Sequence, residues 1–392
     1  MNDAIAALDD PAFYANDPYP SYARLRAEDP VHRFEGEEGT FWALSRHADV
    51  LEVSKHPERF CSGKGVLLTD LTRPVLSTDS IIYLDPPRHQ KHRKLLSPSL
   101  TVRRIGDLEP RIRALANELL DGLDTSAPIE VVDALAAPFP LLVIGELLGV
   151  PRSDFAMFRR WSDAIIQAAS DYTDESLALA GEFFLYIAEI VSDRRITPRD
   201  DLISVLINGR VDGEALSEED VNMFCMSLLV AGNETTRTLI ANAMVALVEH
   251  PEQRSLLASD ASLLPTAVEE LLRWEAPIMS FCRTATSDVE IGGRGIREGE
   301  YVVMLYSAAN RDEAAFGPTA DRLDVKRDPN PHLSFGYAEH YCMGAGLARM
   351  ETRIVFEELL RRWPAYELAG SVERLESRFV RGIGSLPIAF EP

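Results

Sequence analysis

Apolar residues recur every three to four positions over most of this chain, which is the spacing of one face of an α-helix. This pattern predicts helices at residues 20–28, 48–55, 88–100, 108–123, 141–148, 155–169, 177–191, 200–207, 217–250, 263–274 and 347–363. Short apolar or alternating segments between turn residues predict strands at residues 31–34, 40–44, 278–286, 289–291 and 301–306, and around residues 382–384. We therefore expect a mainly α fold with small β-sheets.

The longest predicted helix, at residues 217–250, has an irregular centre. Ser217 followed by Asp220 is a helix-start pattern in which each side chain bonds the backbone N–H of the other residue. Near the middle, Gly232 and two threonines interrupt an apolar run, and these residue types are poor helix formers. The sequence predicts a local bulge or a ligand near the backbone there; the alternative is a tolerated kink with Glu234 at the surface.

One cysteine lies inside a glycine-punctuated loop, residues 335–346, just before the last predicted helix. The positive end of that helix and nearby N–H groups favour the thiolate form of Cys342, and haem iron accepts a thiolate as axial ligand. Phe335 is placed to shield the sulfur from water. Two alternatives remain. One is a buried structural cysteine; the other is a zinc site of His332, His340 and Cys342, which lacks a fourth ligand at suitable spacing.

Composition narrows the class of protein. The 392 residues carry a net charge of −22 with a pI near 4.8, which argues against nonspecific nucleic-acid binding. Four cysteines are too few for a disulfide framework and fit a reducing cytosol. The N-terminal segment lacks the apolar core of a signal peptide, and no run reaches the roughly 18–20 apolar residues of a membrane span. We expect a soluble, cytoplasmic protein with one domain over residues 1–392.

Two pairs of charged or basic residues lie on predicted helices. His89 and Arg93 are four residues apart and share one face. The alternative for this pair is a solvated basic face. Glu270 and Arg273 have the spacing of a helical ion pair, which contributes little to stability when it lies at a surface.

The cysteine loop resembles the ligand loop of the cytochrome P450 family, whose form is Phe-Gly-x-Gly-x-His/Arg-x-Cys-x-Gly. The matching positions are Phe335, Gly336, His340, Cys342 and Gly344. Ala338 stands where the family usually has glycine, and an alanine held at positive φ is strained by about 1 kcal/mol or more. The other motifs occur in the order of this family, from about residue 20 to the end of the chain.

This resemblance implies a single large domain that encloses haem b (iron protoporphyrin IX) between the long central helix and the cysteine loop. Cys342 is the implied iron ligand. Cationic partners suit the two haem carboxylates in a partly buried site. The implied haem-binding residues are His89, Arg93, Arg283, His332, Phe335, His340, Cys342 and Gly344. Arg322 is implied to complete a structural network with Glu270 and Arg273.

The resemblance also implies a reaction. Glu234 and Thr235 are similar to the acid–alcohol pair that manages protons at the reacting oxygen. The implied activity is a monooxygenase that inserts one oxygen atom from O₂ into an apolar small molecule of steroid, terpenoid or branched-lipid type. The candidate pocket walls are residues 67–71, Trp161, Ile165, Leu228, Val230, Ala231, Ile278, Met279, Phe281 and Ile383. A peroxygenase of the same fold and a non-catalytic haem-thiolate sensor are the alternatives.

No flavin or iron–sulfur module is attached, so the resemblance implies electron supply by a ferredoxin and an NAD(P)H-dependent ferredoxin reductase. The segment 88–104 carries only basic charges, namely those of Arg88, Lys91, Arg93, Lys94, Arg103 and Arg104. This basic segment predicts a docking site for an acidic ferredoxin; the alternative is a solvated face with no partner. We expect a monomer without a nucleic-acid or membrane partner.

Overall fold

Helices make up most of the fold, as the sequence predicts. The computed structural model describes residues 6–37, 39–72, 80–97, 100–170, 174–211 and 213–391. The α-helices are α1 (Pro11–Ala15), α2 (Tyr19–Glu28), α3 (His47–Lys55), α4 (Arg88–Leu96), α5 (Val102–Asp121), α6 (Pro138–Leu148), α7 (Phe155–Ser170), α8 (Asp174–Ile196), α9 (Leu202–Asn208), α10 (Glu218–Glu249), α11 (Pro251–Ser259), α12 (Leu264–Trp274), α13 (Tyr306–Ala309), α14 (Glu313–Phe316) and α15 (Ala345–Arg362).

The strands are short. They are β1 (Val31–Gly36), β2 (Gly39–Leu44), β3 (Phe60–Cys61), β4 (Ile129–Glu130), β5 (Arg210–Val211), β6 (Glu214–Ala215), β7 (Ser280–Ala285), β8 (Val289–Ile291), β9 (Arg294–Ile296), β10 (Tyr301–Leu305), β11 (Tyr366–Leu368), β12 (Glu373–Arg374), β13 (Ile383–Ser385) and β14 (Pro387–Phe390). The largest sheet described has the order β1-β2-β10-β7-β3. Its β2 and β10 run parallel, with Trp42 opposite Val302, so N-terminal and C-terminal parts of the chain share this sheet.

The long central helix α10 begins as the sequence predicts. The N–H of Asp220 donates to Ser217 Oγ at 3.0 Å, and the N–H of Ser217 donates to Asp220 Oδ2 at 3.1 Å. Two backbone donors that have no partner within the helix are thus satisfied. This reciprocal cap fixes the first turn.

The predicted bulge in the middle of α10 is wrong, because the helix runs without interruption from Glu218 to Glu249. Gly232 has a packing role there. A Cβ atom at this position would lie 2.9 Å from Cδ1 of Ile144 on α6. The small residue therefore allows close approach of two helices and does not mark a break.

Two apolar cores meet on α10. Its C-terminal half, including Met244, belongs to a core shared with α5, α12 and α15. Its N-terminal half, including Phe224 and Leu229, belongs to a second core with α7, α8 and α9. The residues between the two halves, 231–237, lie at the boundary of these cores. Burial of apolar surface on both sides holds this central segment in place.

Several boundaries differ from the predictions. Helix α5 begins at Val102, six residues before the predicted start, and α4 ends at Leu96. A short π-helical segment, Val132–Ala136, has no counterpart in the prediction. Residues 171–173, between the predicted helices at 155–169 and 177–191, lie outside the described residues. None of the helices described combines the length and the apolar composition needed to span a membrane.

Candidate functional site

The cysteine loop wraps back on itself before α15. The N–H of Cys342 donates to the carbonyl of Phe335 at 2.8 Å. The backbone N–H groups of Gly344 and Ala345 lower the pKa of the thiol, and the N–H of Ala345 donates to the carbonyl of Cys342 at 3.4 Å. A Cβ atom at Gly344 would lie 3.9 Å from Sγ of Cys342, at ordinary van der Waals contact. The loop thus holds the thiol at the N-terminus of α15.

Ala338 has a positive φ, a backbone conformation that glycine adopts without strain. Its φ is +54°, and it is the only non-glycine residue described with positive φ. Gly336, two residues earlier, has a φ of +68°. An alanine in this left-handed region is strained by about 1–2 kcal/mol. The cysteine loop therefore keeps its turn at residue 338 at the cost of this backbone strain.

A chain of contacts supports the loop from below. The ring of Phe335 packs against a small cluster from α10 and α12 that includes Leu272. The guanidinium carbon of Arg349 lies 4.5 Å from the centre of that ring. Arg349 also donates to both carboxyl oxygens of Glu269 on α12, at 2.6 and 2.8 Å. Phe335 is therefore fixed between α12 and α15.

His332 makes its contacts within the protein, and its predicted role as a contact for a haem carboxylate stays a prediction. Its Nε2 lies 3.1 Å from Oε2 of Glu269, and its Nδ1 accepts from the N–H of Ser334 at 3.2 Å. Burial alone would raise the pKa of Glu269, but hydrogen bonds from His332 and Arg349 bring it down to about 2. Both ring nitrogens of His332 therefore have partners within the protein.

The sulfur itself is poised between opposing effects. Cys342 keeps accessible surface, yet protein surrounds it closely. Burial raises the pKa of the thiol, while the N–H groups of Gly344 and Ala345 and the charges of Arg93 and Arg349 lower it. Burial outweighs them, so the pKa of the thiol lies above its ordinary value in the protein alone, although the N–H groups act toward the thiolate as the sequence predicts. A coordinated metal would deprotonate the thiol.

Four basic side chains form what we call the anion cradle: His89, Arg93, Arg283 and His340. His89 on α4 and His340 in the cysteine loop stack with ring centres 4.2 Å apart. Burial, with Arg93 and Arg283 nearby, lowers the pKa of His89 to about 4. Burial and the same charges lower the pKa of His340 to about 2. Both rings are therefore neutral at pH 7, beside two permanent cations.

The cradle contains a buried donor or acceptor that no described group satisfies. His89 is 1% exposed, and its Nδ1 has no hydrogen-bond partner among the described residues. A buried polar atom left in this way carries a cost unless a ligand bonds it. Because Arg93 and Arg283 face the same place, the missing partner is an anion such as a carboxylate.

A metal ion is the other group to consider here. His89, Glu339 and His340 each offer one ligand atom, and these atoms lie within 4.8 Å of one another. Arg93 and Arg283 would repel a dication at this point. The zinc site considered from the sequence is wrong, because the ligand groups found in the described chain include neither Cys342 nor His332.

The acid and the alcohol predicted on α10 lie at the boundary of the two cores. Glu234 is 6% exposed, so its predicted surface alternative is wrong. Its Oε2 lies 3.6 Å from Nη1 of Arg237, and its Oε1 lies 3.7 Å from the Cβ position of Gly382. Thr235 Oγ1 donates to the carbonyl of Ala231 at 2.6 Å. With its proton used in this bond, the Thr235 oxygen keeps lone pairs for a second donor.

The predicted pocket walls divide into two groups. Leu228, Val230, Ala231, Ile278 and Phe281 keep partial or full exposure. Met279 and Ile383 are 0% and 1% exposed and belong to the packed interior, so they do not line an open space. Trp161 is buried as well and donates to Glu182 at 3.1 Å. The side chain of Ile165 lies outside the description.

The predicted Glu270–Arg273 pair is the centre of a second polar cluster, the arginine network, which also contains Arg327. Glu270 and Arg273 are both fully buried and make two hydrogen bonds of 2.7 Å. Arg273 also donates to the carbonyls of Asn310, Ala320 and Arg322, at 2.9, 2.7 and 2.8 Å. All five donors of its guanidinium are therefore used.

Arg322 is not the third side chain of the arginine network. Its side chain is exposed and only its carbonyl takes part. Arg327 donates from Nε to Glu270 Oε2 at 3.0 Å and is 8% exposed. The prediction of Arg322 is corrected to Arg327, because the backbone turn after α14 directs Arg322 outward.

Together these features define a class of protein. A thiol held at a helix N-terminus has four basic groups nearby that suit two carboxylates, and the central helix carries an acid and an alcohol. Iron porphyrin has a metal that accepts a thiolate and two carboxylates that need such partners. The orphaned Nδ1 of His89 and the Cys342 thiol therefore fit a haem-thiolate protein.

Comparisons with known proteins agree. The model of the family "Cytochrome P450" matches residues 153–368. The chain is 40% identical to a vitamin D(3) 25-hydroxylase of Pseudonocardia autotrophica, covering 97% of this chain and 95% of that protein. It is 36% identical to a methyl-branched lipid omega-hydroxylase of Mycobacterium tuberculosis, covering 94% and 90%. The structure of cytochrome P450 CYP109Q5 from Chondromyces apiculatus is 39% identical, with a TM-score of 0.89 over 97% of each chain.

The chain belongs to the cytochrome P450 family and is a monooxygenase with the haem-thiolate cofactor of that family. The predicted class of enzyme and the mainly α fold are confirmed. Sequence reasoning missed Glu339 and Arg327, because neither stands in a helical or motif spacing that relates it to its partners.

Proposed function

We propose that this chain binds haem b and uses O₂ to insert one oxygen atom into an apolar small molecule, with electrons from a ferredoxin and its NAD(P)H-dependent reductase. The observation that carries the proposal is the anion cradle beside Cys342, in which His89 Nδ1 is buried without a described partner. Bound haem would supply redox-active iron and, through thiolate ligation, favour O–O cleavage.

The cradle and the cysteine loop would hold this group by complementary chemistry. Cys342 would bind the iron, and the N–H groups of Gly344 and Ala345 would stabilise the charge on its sulfur. Arg93 and Arg283 would pair with the two carboxylates. His89 and His340, neutral at pH 7, would each donate one N–H.

The acid and alcohol on α10 would handle protons. Glu234 is buried at the boundary of the two cores, where it is held away from bulk water. A carboxyl there is able to accept and release a proton, while Thr235 Oγ1 accepts a hydrogen bond from a water molecule or substrate. Because the Thr235 proton is directed to Ala231, the hydroxyl orients its neighbours by accepting.

The exposed side of α10 supports an apolar substrate. Leu228, Ala231 and Thr235 are spaced by three and four residues and so share one face. Leu228 and Ala231 are apolar. The vitamin D(3) and branched-lipid hydroxylases that this chain resembles act on apolar molecules by their names. We therefore propose a substrate of steroid, terpenoid or branched-lipid type.

The basic segment supports an acidic electron donor. Three basic residues on α4 are exposed, namely Arg88, Lys91 and Lys94. Arg93 on the same helix is half-buried and is part of the cradle. In a chain of net charge −22, this concentration of positive charge next to the cradle would attract a ferredoxin. Such attraction between exposed charges is screened over about 10 Å at 0.1 M salt.

Turnover separates the candidate activities. Wild-type protein is supplied with NADH, ferredoxin reductase, ferredoxin and an apolar ligand chosen for shifting the iron from low to high spin. We expect oxygenated product that depends on all three protein components. Product formed with hydrogen peroxide alone would indicate a peroxygenase, and spin shifts without any product would indicate a sensor.

Two variants test the residue roles in the same assay. Thr235→Ala should retain haem and substrate affinity while diverting NADH electrons to hydrogen peroxide. Lys91→Glu combined with Lys94→Glu should raise the KM for ferredoxin and leave substrate binding unchanged. The exposed pair Arg152→Glu and Arg159→Glu, on other elements, is the charge-matched control. Unchanged coupling in the first variant, or equal KM values in the second and its control, would contradict these roles.

A further inference from the structure

One acidic residue lies where a cradle for carboxylates has no evident need for it. Glu339 is the neighbour of His340, and its carboxyl is within 4.8 Å of the ligand nitrogens of both His89 and His340. The rest of the cradle consists of cations and neutral rings. A third carboxyl at this place would oppose the two that haem brings.

The surroundings of Glu339 give it little help to stay ionised. Its Oε1 is buried, and no described group makes a hydrogen bond to it. The nearest base is Nε2 of His340 at 3.8 Å, which is beyond hydrogen-bond distance. Glu339 therefore lacks the short, direct bonds from Arg349 and His332 that lower the pKa of Glu269.

Charged groups of both signs face Glu339 from several elements. Burial raises the pKa of Glu339, Asp85 before α4 raises it further, and Glu58 before β3 adds to this. Arg283 on β7 and Arg93 on α4 lower it. His89 and His340 are neutral and add no charge. The balance raises the pKa of Glu339 above its ordinary value before any ligand carboxylate arrives.

Bound haem would tip this balance further. Carboxylates that share a site resist ionising together, because each like charge disfavours the next. Arg93 and Arg283 would be taken up by the haem carboxylates and would then help Glu339 less. An electron added to the iron places one more negative charge nearby, and a proton from water is the simplest compensation.

We propose that Glu339 takes up a proton from solvent when the bound haem takes up an electron, and so makes the reduction potential depend on pH. The inference rests on the haem binding proposed above. The step balances as one electron from the donor to ferric iron, giving ferrous iron, and one proton from water to the Glu339 carboxylate. Glu339 touches no reacting atom and acts as a tuning residue.

The test is a spectroelectrochemical titration of the haem-loaded protein between pH 5.5 and 8.5. We expect the wild-type potential to fall as pH rises, with a limit of about 59 mV per pH unit, the value for a tenfold change in a one-electron equilibrium. Glu339→Gln keeps the size and removes the proton site, so its potential should be independent of pH. Glu367→Gln, an exposed acid on β11, should behave like wild type.

Proton uptake on reduction gives a second measurement that needs no variant. Electrolytic reduction of wild-type protein in weakly buffered solution should consume up to one proton per electron. A pH-independent wild-type potential, or a pH dependence that survives in Glu339→Gln, would overturn the inference. If either of these results is obtained while the carbonyl complex of the reduced protein shows the Soret band of thiolate ligation, the role of Glu339 is overturned and the proposed haem function is retained. Failure of the protein to bind haem would overturn both proposals.

Discussion

The arginine network and the anion cradle are both buried groups of charged side chains, yet they are built in opposite ways. In the network, Glu270 accepts from Arg273, Arg327, Asn330 and the N–H of Asp324, all at 2.7–3.0 Å. In the cradle, His89 Nδ1 has no hydrogen-bond partner among the described residues, and neither has Oε1 of the adjacent Glu339. One cluster is complete within the protein, and the other is completed by a ligand.

The energies of the two designs differ accordingly. A buried charge with all its partners present is stable, but removal of one partner leaves an uncompensated charge in a medium of low dielectric constant. A cluster whose buried polar atoms lack hydrogen-bond partners already carries their desolvation penalty in the protein alone. A ligand that makes the missing hydrogen bonds offsets this penalty. We therefore expect mutations in the network to change the stability of the fold, and mutations in the cradle to change affinity for haem.

The largest effect is expected at the centre of the network. Arg273→Ala leaves Glu270 fully buried without its main partner and should lower the free energy of unfolding by roughly 3–5 kcal/mol. Urea unfolding followed by circular dichroism measures this. Arg24→Ala removes an exposed arginine, 52% exposed, and should change the same quantity by no more than about 0.5 kcal/mol. A similar small change for Arg273→Ala would show that the network is not structural.

The third arginine gives a sharper comparison within the network. Arg327→Ala removes a charged hydrogen bond to Glu270 and should lower the free energy of unfolding by about 1.5–3 kcal/mol. Arg322→Ala removes an exposed side chain and leaves the carbonyl that Arg273 uses, so we expect almost no change. If urea unfolding shows a larger loss of stability for Arg322→Ala than for Arg327→Ala, Arg322 would be the third arginine of the network.

In the cradle the effect should appear as affinity. His89→Ala deletes a donor to a haem carboxylate, a loss of about 1.4 kcal/mol, and should speed haem loss about tenfold. Transfer of haem to an excess of an acceptor protein measures the rate. The free energy of unfolding of the haem-free chain should hold or rise, because an unsatisfied buried group is removed. A stability loss comparable to that of Arg273→Ala would erase the distinction between the clusters.

The smallest expected effect concerns the backbone beside the cradle. Ala338→Gly relieves the strain of positive φ and should raise the free energy of unfolding by about 1 kcal/mol. Ala23→Gly, in the exposed middle of α2, should lower it by about 1 kcal/mol. If urea unfolding gives opposite signs for the two changes in free energy of unfolding, the φ angle of the site and not the residue type determines the effect. A lower free energy of unfolding in both variants would contradict the strain at Ala338.

Local signals in the sequence were sufficient for some features. The pair Ser217 and Asp220 predicted the start of α10, and the loop motif located Cys342 before α15. The start of α5 was missed because residues 103, 104, 106 and 107 are polar or glycine and exposed. Among the side chains described at residues 103–107, Ile105 is the apolar one, and it is 5% exposed. Its Cδ1 would lie 3.0 Å from a Cβ atom at Gly346, a tertiary contact that no local pattern encodes.

The parts of the site that depend on tertiary geometry were not accessible in this way. Arg322 and Arg327 flank one turn, and the path of the backbone decides which guanidinium reaches Glu270. The resemblance implied His332 as a contact for a haem carboxylate, and in the structure its ring pairs with Glu269 on α12. Glu339 gave no signal, because its partners come from α4 and β7.

The parallel pairing of β2 with β10 has a consequence for biosynthesis. These strands are separated by about 260 residues, so the largest sheet closes a very long loop. At a translation rate of about 5–20 residues per second, about 15–50 s pass between the synthesis of β2 and that of β10. The cysteine loop follows some 30 residues later. We therefore expect haem to bind only after most of the chain has been made, and the edge of the β1–β2 hairpin to stay exposed to unwanted strand pairing until β10 arrives.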